Sequence, residues 1–252
     1  MKIGFDAKRA FLNSSGLGNY SRNTLNALNQ YYPENKYVLF TPEINAGLFH
    51  NFAQFDVISP DSSFSKIFKS LWRSFSVSSQ LKNNELDCFH GLSNELPEGI
   101  HKTKVPSVVT IHDLIFMRYP NFYKPIDRKI YYSKVKYACS AAQKIIAISQ
   151  QTQEDIIHYF KVNPGKIELV YQSVSPVFFE SQNTSDLLSK YNLTEDFILV
   201  VGTIEPRKNQ LSVLKAVRAK KIKSLVVFVG KPTDYSFELL QFITENKMDD
   251  QV

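Results

Sequence analysis

Three short stretches of the 252-residue sequence hold the residues best suited to binding or moving a charged group. Arg207 and Lys208 stand side by side in Gly202-Thr203-Ile204-Glu205-Pro206-Arg207-Lys208-Asn209, which leaves an apolar run and enters a helical pattern near Asn209. Arg207 offers a planar fork for phosphate oxygens and Lys208 a mobile point charge, while a helix start adds aligned amides; the set suits a diphosphate. A solvated cationic turn would use the same two residues. Gly16-Leu17-Gly18-Asn19-Tyr20 follows the first apolar run, where glycines permit close backbone approach and amides at a helix start can face an anion. A tight turn without a ligand explains this loop equally well. Thr110-Ile111-His112-Asp113-Leu114 closes a β-branched run, at the carboxyl end of a strand, where open α/β sheets place their ligand crevice. His112 is there either a site residue or a structural histidine that caps the strand end and bonds Asp113.

What these stretches lack narrows the chemistry. Position 21 is serine, so G-x-G-x-x-G is not completed, and no acidic residue ends the second strand run, although Glu43 follows it closely. A nicotinamide-dependent dehydrogenase is therefore disfavoured. There is no D-x-D sequence, so a metal-held diphosphate is not suggested; Asp249 and Asp250 are adjacent to each other instead. Cys88 and Cys139 are the only cysteines, one in an apolar run and one in a helical pattern, so a disulfide framework is not expected and a reducing cytoplasm fits.

To position these stretches the chain needs strands that end beside one another. Nine β-rich runs alternate with helical patterns: Lys2–Asp6, Tyr37–Thr41, Phe55–Ser59, Leu86–His90, Ser107–His112, Ile145–Ser149, Ile167–Val170, Phe197–Val201 and Leu225–Val229. Such alternation predicts parallel βαβ units, and the nearly continuous apolar runs Val108–Ile111 and Phe197–Val201 read as strands covered on both faces. Helical periodicity is clearest over Leu17–Tyr31, Phe64–Leu81, Arg128–Ala142, Thr152–Phe160 and Asn209–Lys221. A stretch rich in turn residues around Ser175-Pro176, followed by a short polar helix pattern, predicts a first Rossmann-like domain over 1–173, a linker over 174–195 and a second domain begun over 196–252. The rhythm of that last segment predicts a further strand after Val252, so the second sheet is expected to be incomplete within this sequence.

A hydrophobic content of 43% allows a large core and excludes a disordered or fibrous chain. Thirty basic residues against 24 acidic ones give +6, which suits an anionic ligand or membrane surface. Nucleic acid is not an expected partner, since there is no Cys/His finger, RNP-type aromatic motif or basic tail. The start, Met1-Lys2-Ile3-Gly4-Phe5-Asp6, meets an acidic residue at once and reads as a strand, not a signal peptide. No stretch approaches the roughly 18 apolar residues of a membrane span. Phe64–Phe75 carries aromatic and aliphatic residues at helical spacing, with Lys66, Lys69 and Arg73 on other faces, and so reads either as a helix packed on the sheet or as a helix lying on a membrane.

Val201–Gln210 resembles the G-T-[IL]-E-P-R-K-N segment of the retaining family 4 glycosyltransferases, and other stretches fall into register with that family: His90–Pro97, Val109–Pro120, Ile146–Ser149 and Val170–Phe178. The resemblance runs over essentially the whole chain. It implies an α/β fold of the GT-B type, with a Rossmann-like acceptor-side domain followed by a nucleotide-sugar domain. It implies that Gly16 and Gly18 lie against the donor phosphates or sugar, that His112 stands beside the transferred sugar at the reacting centre, and that Arg207 and Lys208 hold the departing diphosphate. It further implies transfer of a hexose from a nucleotide diphosphate sugar to a saccharide or lipid-linked saccharide, with retention of configuration and no metal or other cofactor, in surface polysaccharide assembly. The protein is then expected in the cytoplasm, or peripherally at the inner face of the cytoplasmic membrane.

One departure bears on activity. The family carries two second-domain glutamates separated by seven residues, for the sugar and the ribose; here Glu238 and Glu245 are separated by six, lie upstream of that motif and read as surface positions on a helix. The 252 residues alone are accordingly expected to be inactive. A sugar-nucleotide epimerase of the same fold and a non-catalytic nucleotide- or carbohydrate-binding module are the alternatives.

Overall fold

A computed structural model describes residues 1–60, 77–181, 185–193 and 196–252. The chain divides into two compact units, Met1–Ser175 and Pro176–Val252.

The first unit is built on seven parallel strands: β1 (Lys2–Asp6), β2 (Lys36–Phe40), β3 (Asp56–Ile58), β4 (Cys88–Gly91), β5 (Ser107–Ile111), β6 (Lys144–Ala147) and β7 (Ile167–Leu169). They are ordered β3-β2-β1-β4-β5-β6-β7. Each strand lies within about two residues of its predicted run, because β-branched and aromatic residues bounded by turn formers are a strong local signal. Successive residues of β2 enter opposite layers: Tyr37 and Leu39 join Phe5, Phe11 and Leu25 in one core, while Val38 and Phe40 join Phe89, Val109 and Ile111 in the other. That is the two-residue period of a strand buried on both faces.

The described helices of this unit are α1 (Lys8–Leu12), α2 (Gly16–Tyr31), α3 (Val77–Asn83), α4 (Ile115–Arg118), α5 (Pro125–Ala141) and α6 (Gln150–Phe160). Helix α6 starts where Ser149 accepts the Thr152 amide (3.1 Å) and ends at Lys161 in the left-handed conformation, φ 54°. Two short helices, α1 and α4, were not signalled by periodicity; each has barely one turn. Phe64–Phe75, the segment with a membrane reading, lies outside the described residues.

The second unit pairs β8 (Phe197–Val201) in parallel with β9 (Leu225–Val229) and carries helices α7 (Ser185–Lys190), α8 (Gln210–Ala219) and α9 (Tyr235–Glu245). Its core joins Leu214 and Val217 of α8, Val226 of β9 and Leu239 and Ile243 of α9. Sequence reasoning expected β8 to be covered on both faces, and this is corrected: Leu199 and Val201 are 53% and 69% exposed, while Ile198 and Val200 pack on the core. The α8 and α9 side chains reach only one face of this two-stranded sheet. Glu238 and Glu245 are exposed positions on α9, as read from the sequence. The stretch expected to be a linker with a short polar helix pattern, 174–195, contains α7 and falls mostly within the second unit.

Candidate functional site

The carboxyl edge of the first unit's sheet collects polar side chains from strands distant in sequence. Strand order runs outward from β1 on one side and from β4 on the other, so the crevice of a doubly wound sheet opens beside Asp6 and Gly91. His112 follows β5 at this edge and is buried.

The segment after β4 holds His112 in place. Asn94 takes the left-handed conformation (φ 60°), which asparagine tolerates; its amide donates to the Thr110 carbonyl (2.9 Å) and its Oδ1 accepts the His112 amide (2.8 Å). His112 Nε2 lies 2.9 Å from the Leu92 carbonyl oxygen, which can only accept, so Nε2 carries the hydrogen. Nδ1 is then an acceptor, and Gln172 donates to it from Nε2 at 3.0 Å. A neutral ring satisfies both bonds. Burial pushes its pKa down; the Leu92 carbonyl and Asp113 oppose this, and Arg9 adds to it. Asp113 does not hold the ring through a side-chain bond: its Oδ1 accepts the Ile115 amide (3.2 Å).

Tyr20, one helical turn beyond Gly16 on α2, packs its ring perpendicular to that of His112, with centroids 4.7 Å apart and planes at 89°. Its hydroxyl lies 3.1 Å from Thr110 Oγ1, which lies 2.8 Å from His90 Nε2 on the next strand. Burial, with His112 adding to it, brings the His90 pKa down to about 4, so this ring is neutral as well.

The glycines at the start of α2 divide in role. Asn13 Oδ1 accepts the amides of Ser15 (2.9 Å) and Gly18 (3.1 Å), and a Cβ at position 18 would lie 1.8 Å from the Asn13 carbonyl oxygen. Only glycine fits there. A Cβ at Gly16 meets nothing within 4 Å, so that position borders open space. Arg22 Nη1 ties the loop down by donating to the carbonyls of Ala10 (2.8 Å) and Asn13 (2.9 Å).

Arg207 and Lys208 belong to the second unit, in a short turn, Pro206–Lys208, between the carboxyl end of β8 and α8. Gly202 has φ 141°, and a Cβ on Gly230 would lie 1.8 Å from the Gly202 carbonyl oxygen, so two glycines let the loops after β8 and β9 pass each other. Asn209, at φ 54°, leads into α8, and buried Gln210 donates to the Thr203 carbonyl (2.8 Å). Arg207 forms an ion pair with Glu205, so part of its fork is occupied within the motif. Lys208 is exposed and has no ion-pair partner among the described residues.

The family model of Glycosyltransferase Family 4 matches residues 14–178, well over half of the chain. The chain belongs to Glycosyltransferase Family 4. The match takes in Gly16, Gly18, the His112 cluster and Gln172. Among curated relatives, this family 4 chain is 26% identical over 145 residues to the O-antigen chain mannosyltransferase RfbU of Salmonella typhimurium, covering 57% of this chain and 38% of that protein. It is 30% identical over 134 residues to the serotype-specific mannosyltransferase WbdA of Escherichia coli, covering 48% of this chain and 16% of that one. The chain thus matches less than half the length of these relatives. Its fold is that of the crystal structure of Anabaena Alr3699/HepE in complex with UDP and glucose: TM-score 0.68 at 16% identity, over 100% of this chain and 67% of that one.

Sequence reasoning singled out His112 but gave no role to Tyr20, His90, Leu92, Asn94, Thr110 or Gln172. All six stand inside quoted stretches, Gln172 within Val170–Phe178, so the motifs marked the neighbourhood. Gln172 is 60 residues from His112, and nothing local to either residue pointed to their contact.

Proposed function

We propose that the full-length protein is a retaining glycosyltransferase that moves a hexose from a nucleotide diphosphate sugar to a saccharide or lipid-linked saccharide during surface polysaccharide assembly. The family match over 14–178 carries this reading, and likeness to the two mannosyltransferases favours mannose as the hexose and O-antigen assembly as the setting. The acceptor hydroxyl oxygen attacks the anomeric carbon on the face from which the diphosphate leaves. The sugar–phosphate bond breaks, and the hydroxyl proton passes to the leaving phosphate oxygen. No enzyme base is then needed, which agrees with a His112 ring held neutral by two hydrogen bonds. His112 serves as a contact for the transferred sugar, Gly16 and Gly18 as a close-approach surface for the donor, and Lys208 with Arg207 as the partners of the charge that develops on the diphosphate. No metal is required for that charge. The reaction takes place in the cytoplasm or at the inner face of its membrane.

The test is acceptor-dependent release of nucleoside diphosphate by the full-length protein from a panel of nucleotide diphosphate hexoses, with and without a chelator, and with product configuration read by NMR. Retention, indifference to chelation and a loss in kcat of roughly 10²–10³ in Lys208→Ala are expected, the usual effect of removing one preorganised donor. Conversion of the sugar nucleotide without acceptor would point to an epimerase. Binding without turnover would point to a binding module.

A further inference from the structure

Residues 118–136 carry Arg118, Lys124, Arg128, Lys129, Lys134 and Lys136 against Asp127 alone, a formal +5 within a chain of +6. Arg118 and Lys134 are paired with Asp155 and Glu95. Lys124, Lys129 and Lys136 are exposed and have no ion-pair partner among the described residues. The same segment leaves large apolar side chains in water. On α5, Val135, Ala138 and Cys139 face the core, and at 100° per residue the opposite side presents Ile126 and Ile130, 66% and 46% exposed, with Lys129 and Lys136 along one flank. The turn that feeds the helix adds exposed Tyr119 and Phe122, whose rings lie 6.1 Å apart. Single exposed apolar residues are ordinary; four in twelve residues, beside lysines without an ion-pair partner among the described residues, are not.

We infer that this face of α5 and its preceding turn docks on an anionic phospholipid bilayer. The charge is complementary, lysine stems lie along apolar surface while their ammonium groups reach headgroup phosphates, and aromatic and aliphatic side chains enter the headgroup boundary. The face is also well placed. In a parallel βαβ unit the helix starts at the carboxyl edge of the sheet, so Tyr119, Phe122 and Ile126 stand at the same edge as His112. A lipid-borne acceptor held in that bilayer would arrive at the edge where the transfer is proposed to occur; this last step rests on the transferase reading, and the docking does not.

Co-sedimentation of the 252-residue chain with phosphatidylglycerol-containing vesicles and with pure phosphatidylcholine vesicles tests the inference without any sugar chemistry. Binding to the anionic vesicles alone, weakened by salt, is expected. Lys124, Lys129 and Lys136 changed together to Gln should lower it roughly a hundredfold, since each cation near an anionic surface is a factor of about five. Ile126→Ser with Ile130→Ser should lower it severalfold at unchanged charge, with an unaltered melting temperature confirming that these exposed positions leave the fold intact. The triple change Lys66→Gln, Lys69→Gln, Arg73→Gln should matter little; if it abolishes binding while the α5 variants bind normally, the assignment to α5 is overturned. Equal binding to both vesicle types, no binding to either, or self-association that the isoleucine variants abolish in the absence of vesicle binding would each overturn it as well.

Discussion

His112 shows how much a single ring depends on its partners. Leu92 fixes which nitrogen bears the hydrogen, Gln172 occupies the other, and Tyr20 packs perpendicular to the ring, so the imidazole is held neutral in one orientation. Its neighbour His90 has a consequence for stability. Its pKa is about 4 in the folded chain against 6.5 ordinarily. Above pH 6.5 the ring is neutral folded or unfolded and contributes no pH dependence. As pH falls from 6.5 towards 4 the unfolded chain takes up a proton that the folded chain refuses, so stability falls. Between pH 7 and pH 5 the loss assigned to His90 is on the order of 2 kcal/mol. Urea denaturation at the two pH values should show this loss in the native sequence and a smaller one in His90→Asn; equal losses would mean that His90 is not the group responsible.

At the scale of elements, the start of α2 and the loop before it form one device. Asn13 accepts two amides, Arg22 donates to two carbonyls, and Gly18 lets the Asn13 carbonyl approach the helix. Gly18→Ala should force this loop apart and cost about 2–3 kcal/mol, the scale of overpacking against backbone. Gly16→Ala, with open space around its Cβ, should stay within about 1 kcal/mol, and in the proposed enzyme should raise KM for the donor more than it changes the melting temperature. Thermal melts of both variants beside donor titrations separate the two glycines. Should they melt alike, the close approach to Asn13 is not what position 18 provides.

At the scale of the whole molecule, the cores are separate: every residue of the two clusters around the seven-stranded sheet lies in Met1–Ser175, and the cluster around Leu214 lies in Pro176–Val252. Leu214→Ala, at a fully buried position, should destabilise the second unit by about 2–5 kcal/mol. Residues 1–175 expressed alone should unfold with the same midpoint as the first unit does in the chain carrying that change. A midpoint that moves with Leu214→Ala would show one cooperative unit instead of two.

The sequence by itself determined what depends on neighbours along the chain. Strand runs such as Val108–Ile111 and Phe197–Val201 declared themselves through β-branched composition, α2 and α6 through their period, and the motifs around Gly16, His112 and Arg207 through residue type and order. These were enough for the family and the parallel α/β class. Tertiary structure decided what depends on which strands lie side by side. The order β2-β1-β4-β5 brings Tyr20, His90 and Thr110 to one edge, and β7 returns Gln172 to His112 across 60 residues. It decided that Arg207 spends part of its fork on Glu205, and that the outer residues of β8 remain exposed. A hydrogen bond or a covered face requires a partner at about 3–4 Å, and that spacing is set by packing, which residue order along one chain does not encode locally.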